Sequence, residues 1–416
     1  MEIALSEQAS GADAFKQVLR SKLFLASMMA MFLSGVGVSA AAPQIVFFMV
    51  NELGASLPLA GLYYLSSLGA PIAGYVVGRY SDQTGHRLGL FRLCALAGFL
   101  GWAAMAVSTE VWMPFVIGFF VLAFSGAATS QIFAAVHDEL SRKSDPAHEG
   151  VVAILRMTLT AGWVIGPVLG AWFSATCGVR AMLWGSAICL LLQVLPFGRL
   201  DVHAMAKPMV SKAPSQPSGL VALLPLLAFT FLFVLVYAGE PIKYGFLLIY
   251  MEDQLKLDPA IRGAVIGIQP LVELLIMPLG LVLGRRVGHL WLMCAAAALG
   301  VGANLCFAFW PAAVGLFVGQ ILMGAVWGIF MVLGIIVAQR LLPEAIATAS
   351  AIFMSAPALS SALGGVAGSL GVSALGLPGV FILPGLFAAL AVVGLAWMAH
   401  AARASAAYIK AQPPPI

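Results

Sequence analysis

The chain has 416 residues, of which 62% are hydrophobic and 9% charged, with a mean hydropathy of +1.01 and a formal net charge of +4. So few charges cannot cover the surface of a soluble fold, and the small net charge supplies no basic face for nucleic acid. Cys94, Cys177, Cys189, Cys294 and Cys306 lie in or beside apolar runs without metal-ligand spacing, so they read as spectator thiols and no cofactor or metal is expected.

Residues 1–22 carry Glu2, Glu7 and Asp13 ahead of Lys16, Arg20 and Lys22 and lack an apolar core. They are expected to be a cytoplasmic segment and not a secretory signal. Apolar runs follow near 23–50, 57–79, 88–107, 112–135, 151–176 and 181–197, and again near 220–251, 261–284, 290–310, 311–338, 345–370 and 375–402. Each is long enough for one helical crossing of roughly 20 residues. Their continuity, in place of polar–apolar alternation, excludes a β-barrel.

The expected fold is therefore an all-α membrane protein of about twelve transmembrane helices. Residues 199–219, with Lys207, Pro208, Lys212, Pro214 and Pro217, read as a cytoplasmic linker between helical bundles at 23–198 and 220–402. Residues 403–416 form a tail. Lys and Arg crowd alternate gaps, leaving only Arg180, Lys256 and Arg262 in the others, which places both termini in the cytoplasm.

Between the second and third runs stands G-Y-V-V-G-R-Y-S-D-Q-T-G-H-R, residues 74–87. Gly78 and Gly85 permit a tight turn there. Gly78, Asp82, Gly85 and Arg87 occur in the order of the loop signature of the major facilitator superfamily, which the chain resembles; Gln83 and His86 depart from its usual basic residues. Asp82 is expected to cap a helix or pair with Arg87, forming a conformational latch.

The two halves repeat. Pro43 and Pro241 lie 198 residues apart, as do Gly166 in G-P-V-L-G and Gly364 in G-G-V-A-G; Gly74, Gly78 and Arg79 recur 206 residues later as Gly280, Gly284 and Arg285. Six spans per half give both copies the same orientation, so the expected repeat is parallel, about a pseudo-two-fold axis along the membrane normal. Two such bundles suggest alternating access. Gly162, Gly166 and Gly170 share one face of the fifth span beside Pro167, a small-residue stripe that serves either sliding or static packing. The segment resembles the glycine–proline motif of facilitator-type exporters.

Ionisable groups inside spans are costly and mark sites. Glu273, with Gln269 one turn earlier and Pro270 between them, reads as a proton carrier, a hydroxyl acceptor or a carboxyl bonded to a neighbouring helix. Glu240 and Lys243 are expected to pair, either as a ligand site at the Pro241 kink with Gln44 at similar depth, or as a plain salt bridge. Tyr237 and Tyr244 flank them and suit either a sugar ring or the lipid interface. Gln131, Asn304 and Gln320 add neutral polar groups, and Arg156 is expected to meet Asp138 or Glu139 as a gate or a helix-end pair.

The stretches A-A-P-Q-I-V-F-F-M-V-N-E-L-G-A from Ala41, I-L-R-M-T-L-T-A-G-W-V-I-G-P from Ile154 and L-V-E-L-L-I-M-P around Glu273 resemble the bacterial sugar efflux transporter family. That resemblance implies a monomeric inner-membrane exporter of small sugars or glycosides, exchanging them for protons. A multidrug or other small-molecule exporter of the same fold is the first alternative, and a non-transporting membrane sensor the second. The fourth span, F-F-V-L-A-F-S-G-A-A, lacks the arginine of many proton-coupled drug exporters, and no nucleotide loop or catalytic triad occurs, so no enzyme is expected.

Overall fold

The computed structural model describes residue 15 and residues 18–143, 148–198, 200 and 220–411. All but Leu200 of the expected linker lies outside them, as do most of the N-terminal segment and the last five residues of the tail. Every described element is helical.

Eleven helices are long and apolar enough to cross a membrane: α1 (Lys22–Asn51), α3 (Arg87–Ala106), α4 (Met113–Leu140), α5 (Gly150–Cys177), α6 (Val179–Phe197), α7 (Ala222–Gln254), α8 (Pro259–Val287), α9 (His289–Phe309), α10 (Ala313–Leu341), α11 (Thr348–Gly379) and α12 (Ile382–Arg403). The twelfth expected span, α2 at residues 57–84, is helical but polar at its end. It runs through Leu57–Gly61, a 3₁₀ stretch Leu62–Leu68, and Gly69–Thr84, which carries Arg79, Ser81, Asp82, Gln83 and Thr84. Those five residues lower its hydropathy, and the helix continues to Thr84, past the expected end at 79.

Local chemistry explains the breaks. In α1, Ser21 accepts the Phe24 N–H at 3.4 Å to open the helix, and Pro43 tightens Ala42–Gln44 into a 3₁₀ turn. Pro241 has no N–H for the Tyr237 carbonyl, so α7 restarts at Gly239. Gly85, with φ +69°, ends α2 and returns its N–H to the Ser81 carbonyl at 2.9 Å. The turn after α11 falls later than expected: Gly376 has φ +64° and Pro378 follows, whereas Gly371 remains helical. Gly376 lies 198 residues after Gly178, the left-handed glycine between α5 and α6, so the internal repeat extends to its turns.

Contacts divide the chain into two units, Met1–Ser211 with Tyr244–Pro270, and Lys212–Lys243 with Leu271–Ile416. In the first, α5 lies against α1. A Cβ on Gly162 would stand 2.7 Å from the Phe32 carbonyl oxygen, one on Gly166 2.7 Å from that of Val36, and one on Gly170 2.6 Å from that of Ala40. Ser39 donates to the Gly162 carbonyl at 3.2 Å. The glycine stripe thus lets two backbones touch where lipid offers no hydrophobic drive for association. Gly263 and Gly267 carry the start of α8 onto Val168 and Val164 of α5 in the same way, which accounts for residues 244–270 joining this unit. In the second unit Gly364 of α11 meets the Ala238 carbonyl of α7. Gly166 against Ala40 and Gly364 against Ala238 are one contact repeated 198 residues later.

Candidate functional site

The second unit holds a buried charged cluster at the α7 break. The restart at Gly239 puts Glu240 in the first turn of a new helix, where backbone N–H groups favour a carboxylate. Lys243, one turn on, donates to Glu240 Oε1 at 2.9 Å and Oε2 at 2.7 Å. Both side chains are almost wholly enclosed, at 2% exposure for lysine and 8% for glutamate. Trp327 of α10 donates its indole N–H to Glu240 Oε1. Tyr237 packs edge-on against Trp327 with centroids 4.6 Å apart, and Phe233 stacks on Tyr237 at 5.8 Å.

Glu273 lies within electrostatic range of Glu240, Lys243 and Tyr237, and no salt bridge joins it to a cation among the described residues. The arrangement is one ammonium facing two carboxylates, roofed by aromatic rings. Hydroxyl groups of a ligand suit its donors and acceptors, and ring faces suit its walls.

The first unit holds the loop network. Arg87 at the start of α3 donates to Asp82 at 2.7 Å, to Ser81 at 2.8 Å and to Asp138 of α4 at 3.1 Å. Ser81 passes its own hydroxyl to Gln131 of α4. The expected Asp82–Arg87 pair therefore exists, as the exposed rim of a larger knot whose buried members are Ser81 and Gln131. Gln131, expected among the cavity groups, serves this knot. Gly78 does not shape the turn: it lies inside the α2 helix, and no atom stands within 4 Å of where its Cβ would be.

Asp138 pairs with Arg87 and not with Arg156, because α3 begins beside the end of α4 and delivers the first guanidinium there. Arg156 lies over the Phe133 ring, 5.7 Å from its centroid, and Glu139 is half-buried.

The remaining candidates divide between the two units. Tyr244 belongs to the first unit, 6.5 Å from Trp163 between centroids, while Tyr237 belongs to the second. The unit boundary falls after Pro270, so Gln269 counts with the first unit and Glu273 with the second. Gln44 is buried in the 3₁₀ turn of α1. Asn304 donates to the Gly300 carbonyl of its own helix at 2.8 Å, and Gln320 is fully enclosed with neither amide atom bonded among the described residues.

Three contributors were not anticipated. Trp327 is a mid-span indole whose N–H had to find an acceptor; that requirement was the only available signal. Ser81 sits between two signature positions. Arg180, a lone cation in a charge-poor gap, binds Glu52 at 3.0 Å and the carbonyls of Ala106 and Ser108 at 2.9 Å, tying the ends of α1 and α3 to α6.

The family model described as Major Facilitator Superfamily matches residues 27–239. A Deinococcus radiodurans protein whose name places it among sugar efflux transporters is 27% identical over 366 residues, 85% of this chain and 92% of that protein. "Sugar efflux transporter A" of Dickeya chrysanthemi is 26% identical over 77% of this chain and 82% of its own length. "Sugar efflux transporter C" of Escherichia coli is 24% identical, covering 79% and 84%. Among solved structures, a mutant of the nucleoside transporter NupG aligns at a TM-score of 0.77 with 18% identity, over 91% of this chain and 99% of that one. A POT family transporter aligns at 0.71 with 15% identity, over 90% and 95%. These likenesses establish the fold.

Proposed function

We propose, from the premise that this chain belongs to the Major Facilitator Superfamily and is a membrane transporter, that it exports small sugars or glycosides in exchange for protons. The observation that carries the reading is the enclosed Glu240–Lys243–Trp327 cluster with Glu273 beside it. Ionisable groups kept inside membrane helices against their desolvation cost belong to substrate or ion pathways. The curated relatives, named for sugar efflux and matching most of the chain, support a saccharide as cargo.

In this reading Lys243 and the Trp327 N–H hold the Glu240 carboxylate in place, and Tyr237 offers the cargo a ring face and a hydroxyl. Glu273, lacking a salt bridge, takes up and releases the proton. The two repeated halves, proposed as bundles at 23–198 and 220–402, alternate in opening a site to either side of the membrane. The Asp82–Arg87–Asp138 knot makes and breaks as the latch on the cytoplasmic side. Location in the bacterial inner membrane, both termini in the cytoplasm and a monomeric state complete the proposal.

The aromatic group Phe233, Tyr237, Trp327, Phe330 and Phe353 favours one rival, an exporter of flat apolar cations. Inverted vesicles loaded with the protein, given labelled sugars or cationic dyes with and without an inward-acid gradient, separate the two. Gradient-driven accumulation of sugars supports sugar–proton exchange; accumulation of dyes alone transfers the proposal to the rival.

A further inference from the structure

We infer that the cleft between α4 and α5 of the first unit is a recognition subsite for a carboxylate-bearing sugar, with Arg156 as its anion-binding residue. The inference rests on the sugar-export reading and narrows its substrate class from sugars in general to sugar acids.

The cleft has a volume of about 680 Å³ and is lined by Ser130, Phe133, Ala134, His137, Val152 and Arg156 among others. That lies within the roughly 300–1,000 Å³ of small-molecule sites. Arg156 is exposed to it, and among the described residues no ion pair joins Arg156 to Asp138, Glu139 or any other carboxylate. The reason is topological: Arg87 already occupies Asp138 at 3.1 Å.

The Phe133 ring, 5.7 Å from the guanidinium carbon, leaves the nitrogen fork available. A guanidinium fork matches a carboxylate in two parallel hydrogen bonds. The exposed His137 lies on the same cleft wall. Ser130 spends its proton on the Ala127 carbonyl at 2.8 Å, which leaves its oxygen to accept from a sugar hydroxyl. Val152 and Ala134 present apolar surface to ring C–H groups. A cationic dye would meet a positive charge that no carboxylate among the described residues pairs with, and a neutral sugar would leave the fork to water. An acidic sugar satisfies all of it.

The test is calorimetric binding to the full chain in nanodiscs, with glucose and glucuronate as probes. Glucuronate should bind roughly ten-fold more tightly than glucose, the worth of one charge-assisted contact at an open site. Arg156→Gln should bring the ratio of the two affinities close to one, and Arg156→Lys, which keeps a point charge without the fork, should give an intermediate ratio. In the unmodified protein, a rise in ionic strength should weaken glucuronate binding and spare glucose, a measurement that needs no variant to fold. Equal affinities, a glucuronate preference indifferent to salt, or a preference that survives Arg156→Gln each overturn the inference. Glucose bound without preference for the acid ends this inference alone, while binding of neither probe ends the sugar-export reading with it.

Discussion

Lys243 is enclosed at 2% exposure and donates to both oxygens of Glu240, so this pair is where a single substitution in the second unit should cost much. Removing one partner of such a pair leaves an uncompensated buried charge, at a cost of about 3–5 kcal/mol. Lys243→Met alone should therefore lower the thermal unfolding midpoint sharply, and adding Glu240→Gln should restore most of it; additive losses in the double variant would refute the coupling. Glu273 has no such bond to lose. Glu273→Gln is expected to abolish acceleration by a proton gradient and to preserve sugar exchange at equal pH, and a full gradient response in that variant would remove it from the proton path. In the knot, Arg87 binds three partners while Asp82 is 73% exposed. An exposed pair is worth about 1 kcal/mol or less, so Arg87→Ala should slow transport far more than Asp82→Asn. The sequence displayed Asp82 and Arg87 through their signature, and Glu240 with Lys243 through their spacing. It could not display Trp327 or Ser81 as partners, because an indole in one helix and a carboxylate 87 residues away meet only through packing.

At the scale of elements, glycine spacing carries the argument. Gly162, Gly166 and Gly170 abut α1 backbone with no room for a methyl group. Overpacking of this kind costs about 1–3 kcal/mol, so Gly166→Ala should reduce the yield of folded protein in detergent extracts. The same change at Gly74, where no atom stands within 4 Å, should be tolerated by that measure. Equal behaviour at the two sites would contradict the packing assignment. The repeat of 198 residues is visible in the sequence in Pro43 with Pro241 and in Gly166 with Gly364. Structure then added Gly178 with Gly376, and Ala40 with Ala238, as turn and contact partners. Element ends were less legible: α2 runs past its expected end to Thr84, and α11 turns at Gly376, because a left-handed glycine or a proline in context, and not hydropathy, ends a helix.

For the molecule as a whole, membership of the Major Facilitator Superfamily makes alternating access the mechanism to test. Proteoliposomes preloaded with unlabelled sugar should take up trace labelled sugar transiently above equilibrium, as a carrier does in counterflow. Simple equilibration without an overshoot would instead indicate a channel-like path and refute the mechanism.

Hydropathy, charge placement and repeat spacing are local along the chain, and from these the sequence by itself determined a polytopic helical membrane protein, its internal repeat and a short roster of costly ionisable residues, while the resemblance of its loop signature pointed to the transporter family. Tertiary structure alone decided which of those residues belong together: Asp138 with Arg87 and not Arg156, Gln131 with Ser81, and Glu240 with Trp327. The physical reason is that a buried polar group is satisfied by whatever donor or acceptor packing delivers within about 3 Å, and that neighbour is set by helix crossings that no stretch of sequence contains.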